Sequence, residues 1–254
     1  MDIATIGGLI LGVGSVLVAF RMEGGHLSAI VQAPAMILVI LGTIGAATVT
    51  TSIENLRKVP KMLKIIFRNN NYDSYGIIEQ ITKMAENARR DGILALERSL
   101  KGIRNPFYHQ ALQLLIDGTE MTALRSILET ELNNMSNRHK AGILLFQKLG
   151  GFSPTMGIIG TVLGLIHSLA NADNANQMAS SIASAFIATL WGVALANLVY
   201  LPISDKLKRR HEEEIQHLNL ILEGMVAIQS GENPRVIRSK LLSFIEPVLR
   251  KDIK

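Results

Sequence analysis

The chain has 254 residues, of which 48% are hydrophobic and only 19% charged, against roughly a quarter charged in average globular chains. Its mean hydropathy is +0.27, yet it carries a net charge of +5 and a pI of about 9.5. These values exclude a disordered or collagen-like chain, and with no Cys they exclude a disulfide scaffold, a thiolate metal site and a Cys nucleophile.

A chain both apolar and basic keeps its charges away from its apolar stretches. Of 26 Lys and Arg, none lies in 1–20, one (Arg21) in 21–52, fifteen in 53–148, none in 149–205 and ten in 206–254. A membrane span needs roughly 20 apolar residues to cross about 30 Å of hydrocarbon. Four segments qualify: Ile3–Phe20, Pro34–Ser52, Gly150–Ala170 (His167 its sole ionisable group) and Met178–Ile203. The first lacks the charged start and small-residue cleavage site of a signal peptide and reads as a retained span. Basic residues crowd the 53–148 block, beginning with Arg57, Lys58, Lys61 and Lys64, and the 206–254 tail, whereas the 21–33 and 171–177 connections hold one and none. The positive-inside rule then puts both termini and the central block in the cytoplasm and the short connections outside. The expected fold is all-α, a four-span membrane protein with a helical cytoplasmic domain between spans 2 and 3 and a helical C-terminal tail. Its parts are 1–52 (first hairpin), 53–148 (cytoplasmic domain), 149–204 (second hairpin) and 205–254 (tail).

In chain order, Gly8 and Gly12 mark a small face on the first span, and Gly42, Ala46 and Ala47 one on the second. In the cytoplasmic block, Asp73 or Ser74 can cap a helix carrying Ile77, Ile78, Ile81, Met84, Ala85 and Ala88. Gly92 interrupts it, Ile93 to Ile103 resume a helical face, Asn105-Pro106 breaks again, and Phe107–Ile116 and the stretch from Thr119 read as helices. The last of these can run on into the third span, where Pro154 interrupts the backbone ladder. Gly160 and Gly164 mark the third span, and Ala183, Ser184, Ala185, Ala188, Gly192, Ala194 and Ala196 the fourth. Such faces let helices approach closely in lipid, whether within one chain or between copies. Beyond Pro202, Asp205–Ile228 reads as an amphipathic helix and Val236–Ile245 as a shorter one; Lys206, Lys208, Arg209 and Arg210 suit anionic headgroups.

Several chemistries are weighed and set aside. His211 and His217 are six residues apart, so one helix face cannot offer both to zinc. Gly12-Val13-Gly14 lies inside a span and follows no strand, so it is no nucleotide loop. The basic clusters lack interleaved aromatics, which argues against nucleic acid. No catalytic constellation is recognisable, so an enzyme, a metal site and a cofactor are not expected. The spans contain no carboxylate, which an ion path ordinarily needs. They offer hydroxyls instead: Thr155, Thr161, Ser184 and Thr189, with Ser168 and Ser181 farther out. These either bond back to helix carbonyls or line a partner helix or aqueous path.

The run Ser153-Pro154-Thr155-Met156-Gly157-Ile158-Ile159-Gly160-Thr161-Val162-Leu163-Gly164-Leu165-Ile166-His167 resembles the third span of flagellar motor stator A-subunits, the MotA/PomA family. Ala188-Thr189-Leu190-Trp191-Gly192, through Asn197 to Leu201-Pro202-Ile203, is similar to their fourth span, and Ala88-Arg89-Arg90-Asp91-Gly92-Ile93-Leu94-Ala95-Leu96-Glu97 to their cytoplasmic region. The resemblance implies an inner-membrane homo-oligomer, a pentamer, around a B-type partner of the MotB/PomB kind, which supplies the missing intramembrane Asp and anchors to peptidoglycan. It implies that Thr161 and Thr189 face the ion path, with Thr155 and Ala188 beside them, and that Pro154 and Pro202 couple ion passage to movement. Arg89, Arg90 and Glu97 take the positions that meet a rotor switch protein of the FliG kind. The translocated ion is expected to be H+ rather than Na+, because Ala188-Thr189 stands where sodium-type relatives carry two Thr. The alternative is an energiser of an outer-membrane process like ExbB/TolQ, whose relatives have a three-span plan.

Overall fold

A computed structural model describes residues 2–67, 72–247 and 250. Every regular element among them is helical. The chain divides into two compact units, each made from two stretches: Met1–Asn69 with His139–Arg209, and Asn70–Arg138 with Arg210–Lys254. The sequence suggests four consecutive parts by topology; by packing, 53–67, 139–148 and 205–209 belong with the apolar helices, and the tail from Arg210 belongs with 70–138.

The first unit opens with α1 (Ile3–Met22), capped by Asp2, whose carboxylate accepts from the Thr5 amide at 3.3 Å. Such a cap contributes about 1 kcal/mol. A short α2 (Leu27–Ile30) leads to α3 (Ala33–Val49), where Pro34 sits in the first turn, a position that needs no backbone donor. Ala35, Val39, Thr43 and Ala47 recur every four residues and form the buried stripe of α3. Helices α4 (Ile53–Arg57) and α5 (Val59–Phe67) follow, and Ile66 of α5 is buried with Ile143, Phe146, Leu149, Ile203 and Leu207.

Two long helices contribute to both units. Helix α9 (Met121–Ala170) is 50 residues long and continuous through Pro154, so the continuation expected from the sequence is present. Helix α10 (Ala175–Leu195) passes through a π-helical turn, Ala196–Tyr200, into α11 (Leu201–Gln229). The π turn lies just before Pro202, which cannot donate to the turn behind it; such a bulge re-registers a helix around that defect. The tail helix therefore does not begin afresh at Asp205.

Close approach of backbones defines the α9–α10 seam. A Cβ added at Gly157 would lie 2.9 Å from the Ala188 carbonyl oxygen, and one at Gly192 would lie 2.7 Å from that of Ser153. Only glycine fits both positions. The Ser153 hydroxyl donates to the Gly192 carbonyl at 2.9 Å across the same crossing. By length and composition, α1, α9 and the run Ala175–Gln229 can each cross a membrane, whereas α3 is apolar but only 17 residues long.

In the second unit, α6 (Ser74–Asp91) is capped by Asp73, which accepts from the Gly76 amide at 2.8 Å, and ends at Gly92 with φ of +85°. The segment beyond differs from expectation. Instead of a resumed helix it makes a 3-10 turn, Ile93–Leu96, and a single helical turn α7 (Glu97–Leu100), with Leu96 fully buried. Gly92 and the Asn105-Pro106 break confine it between two reversals, so burial of Leu96 sets its path rather than helix periodicity. Asn105 caps α8 (Pro106–Ile116), accepting from the Tyr108 amide at 3.1 Å. Helix α12 (Pro234–Leu242) closes the unit, and Ile81, Leu112, Leu128, Ile221, Met225 and Leu241 belong to one core. Glu223 pairs with Arg125 at 2.8 Å and Lys240 at 3.2 Å.

Candidate ion-path site

Within the first unit, α9 and α10 bring Thr161 and Thr189 together, hydroxyl to hydroxyl. Thr161 Oγ1 also lies 3.1 Å from the Gly157 carbonyl and 3.1 Å from the Ala185 carbonyl. A hydroxyl has one proton and two lone pairs, and carbonyls only accept. The Thr161 proton is therefore shared by the two carbonyls, and Thr189 donates to Thr161. Thr189 Oγ1 keeps its accepting lone pairs for another donor. Both residues are half-buried.

Thr155 stays apart from this pair: exposed, it donates to its own helix at the Phe152 carbonyl, 2.7 Å away. Ala188 is buried with Ala35 and Val39, and a Cβ on Gly160 would lie 2.6 Å from its methyl, so its neighbours are packing residues. Pro154 is half-buried one residue beyond the Ser153–Gly192 contact, and Pro202 is exposed just beyond the π turn. Two further bonds were not foreseen. The Trp191 indole donates to the Ile30 carbonyl at 2.7 Å, and Ser184 donates to Gln32, fixing the start of α3 against α10. A buried Trp N–H needs a partner, so the lone Trp was the available sequence signal. The Thr43 hydroxyl is fully buried with no hydrogen-bond partner among the described residues.

In the second unit, Arg89, Arg90 and Glu97 are all exposed where α6 gives way to α7. Arg90 lies back on Asp91 at 2.9 Å, and its guanidinium holds that carboxyl below the usual carboxylate range. Arg89 and Glu97 have no ion-pair partner among the described residues. No cluster of three or more His, Asp or Glu side chains suited to a metal ion occurs among the described residues.

Residues 99–219 match the model of the MotA/TolQ/ExbB proton channel family, and residues 6–92 match that of the motility protein A N-terminal region. Motility protein A of Borreliella burgdorferi is 32% identical over 253 residues, covering 100% of this chain and 97% of that protein.

The chain belongs to the motility protein A family.

Chemotaxis protein PomA of Vibrio alginolyticus is 34% identical, with 96% of each chain covered. Among solved structures, C. jejuni MotAB superposes with a TM-score of 0.91 at 31% identity over 97% of each chain. The flagellar MotAB stator complex from Bacillus subtilis gives 0.91 at 31% identity over 98% of each chain. The families matched are a proton channel and a motility protein rather than an enzyme.

Proposed function

We propose that this protein is the A-type subunit of a flagellar motor stator, forming the wall of an ion path with a B-type partner and turning ion flow into rotor torque. Membership of the motility protein A family supports this, as does similarity to chains solved in MotAB complexes. The observation that carries it is the Thr161–Thr189 pair, an open hydrogen-bond acceptor on a wall whose apolar spans hold no carboxylate. A wall of this kind needs a partner chain to supply the titrating group. In this reading α3 is the second of four spans, its 17 residues being accommodated by local thinning of the bilayer. Both termini and the second unit are cytoplasmic, following the distribution of Lys and Arg. Copies of the chain form a pentameric ring around the partner helices, with Thr155 near the path. Pro154 and Pro202 transmit its state to the cytoplasmic helices, and Arg89, Arg90 and Glu97 meet the rotor.

The ion is a proton. The Thr161 hydroxyl is already engaged with two carbonyls and Ala188 brings no side-chain oxygen, so Thr189 alone of the three offers a free hydroxyl oxygen toward replacing a sodium ion's hydration shell. Rotation of tethered cells should persist when sodium is replaced by potassium at constant proton-motive force. Rotation that stops on sodium removal would overturn the proton assignment. The energiser reading is less favoured, because the motility-specific N-terminal model also matches.

A further inference from the structure

Hydroxyl groups tie α9 to α10 and α11 across their antiparallel seam. A helical Ser or Thr ordinarily satisfies its hydroxyl on a carbonyl one turn back, as Thr155 does. Others in this seam reach across instead. Ser168 donates to the Met178 carbonyl at 3.1 Å, Thr161 lies 3.1 Å from that of Ala185, and Ser153 donates to that of Gly192 at 2.9 Å. Farther along, Ser204 of α11 donates to the Ile143 carbonyl at 3.0 Å. Ser153, Ser168 and Ser204 are all buried, which keeps water from competing for these bonds.

The spacing of the bonds is uneven. From Ser168 to Thr161 α9 uses seven residues, and α10 uses seven from Met178 to Ala185. To the next bond they use eight and seven, so up to Ser153 and Gly192 the helices keep step. From Ser153 to Ile143 α9 uses ten residues, whereas Gly192 to Ser204 takes twelve. At 1.5 Å per residue those stretches would measure about 15 Å and about 18 Å, yet they share both ends. The π turn Ala196–Tyr200 lies inside the longer stretch, where the Leu201 amide donates to the Ala196 carbonyl five residues back. Such a turn takes in one residue more than the α turn it replaces. The prolines loosen the same interval. Pro154 and Pro202 have no N–H, so the Gly150 and Leu198 carbonyls, both inside it, lose their ordinary ladder donors.

We propose that Ser153 and Ser204 are positioning residues whose crossing bonds pin α9 to α10 and α11 on either side of the π turn, confining to that interval the movement that carries the ion site's state to the cytoplasmic helices. Thr189 stands three residues before Gly192, so a shift at the ion site reaches the first pin within one helical turn. This rests on the reading of the chain as a stator subunit. The Gly192 carbonyl also accepts from the Ala196 amide, and that of Ile143 belongs to the ladder of the continuous α9. Removing either hydroxyl therefore strands no buried carbonyl, and the alanine variants should assemble.

The test places Ser153→Ala, Ser204→Ala and Ser168→Ala in the full chain, co-expressed with its B-type partner in cells lacking both. Tethered-cell rotation and ion uptake, followed by a cytoplasmic pH-sensitive dye, are read in cells. Amide hydrogen exchange over 196–200 is read in the purified complex. Ser153→Ala and Ser204→Ala should slow rotation about fivefold, the effect of one ordinary hydrogen bond, at wild-type ion uptake. Both should speed exchange over 196–200. Ser168→Ala removes the same kind of bond where the helices keep step, and should change neither rotation nor that exchange. Wild-type rotation in both inner variants overturns the proposal. Equal slowing by Ser168→Ala also overturns it, because the bonds would then be general packing. So does ion uptake that falls in proportion to rotation, which would move Ser153 into the ion path. If Ser153→Ala does not reach the membrane, Ser204→Ala and its exchange decide. Failure of the wild-type chain to restore rotation would defeat the stator reading itself. The exchange contrast between Ser204→Ala and Ser168→Ala would then still decide whether the pins hold the π turn.

Discussion

Because the Thr161 hydroxyl lies 3.1 Å from two carbonyls, its proton is committed, and Thr189 is left as the acceptor facing whatever donor approaches. Thr189→Val keeps the shape and removes that acceptor. Hydrogen bonds to charged groups contribute about 1.5–3 kcal/mol, so tethered-cell rotation should fall by about tenfold or more. Membrane levels of the protein should stay near wild type, and Thr189→Ser should restore rotation. Wild-type rotation in Thr189→Val would remove this residue from the path. Arg89 is exposed and without an ion-pair partner among the described residues, so Arg89→Glu should change no internal contact. It should reduce swimming speed while leaving ion flux through the complex unaltered; loss of membrane insertion would instead mark the charge as structural. The threonines were legible because hydroxyls stand out in spans that hold no carboxylate. The Ser153–Gly192 bond was not, since nothing in local spacing joins residues 39 apart.

At the scale of elements, helix ends were the most legible features. Gly92 stops α6 through its positive φ, and Asn105-Pro106 starts α8 with a capping side chain and a first residue that needs no backbone donor, effects local to a few residues. The 3-10 turn at Ile93–Leu96 was not legible, because burial of Leu96 in a core assembled from distant helices overrides its apolar spacing. The π turn was hidden for a related reason: Pro202 announces a defect, but only packing decides where the extra residue is absorbed. The α9–α10 seam gives a sharp expectation. In Gly192→Ala the new methyl would meet the Ser153 carbonyl at 2.7 Å and the Gly157 backbone at 3.0 Å, neither of which can swing aside. Overpacking of this kind costs roughly 1–3 kcal/mol. The thermal midpoint of the purified complex should fall, whereas Gly14→Ala, which meets nothing within 4 Å, should leave it unchanged.

Across the whole molecule, the segregation of charge carried most of what composition could tell, including the absence of Lys and Arg from 1–20 and 149–205. It could not tell that the tail completes the unit begun by the central block. His217 shows that closure: it lies buried in the second unit, its ring 4.8 Å from that of Tyr72 and its Nδ1 3.5 Å from the Ser74 hydroxyl. Burial pushes its pKa below the ordinary 6.5, against the opposing pull of Asp73. The unfolded chain therefore takes up a proton that the folded one resists. Stability from this source is full above the ordinary value and is lost as pH falls below it. The unfolding midpoint of the complex should drop between about pH 7 and about pH 5. His217→Phe should flatten that drop; an unchanged slope would place the acid sensitivity elsewhere.

The split composition of the second unit also sets a timetable. Residues 70–138 leave the ribosome first, but Ile221, Met225, Ile237 and Leu241 of their core come only after residues 139–209 have been made. At roughly 5–20 residues per second, that interval lasts several seconds. During it the half-built unit exposes the faces of α6 and α8 that its late helices will cover, making the nascent chain a client for chaperones. A chain truncated after Ile203 should retain its apolar helices yet be degraded from its middle.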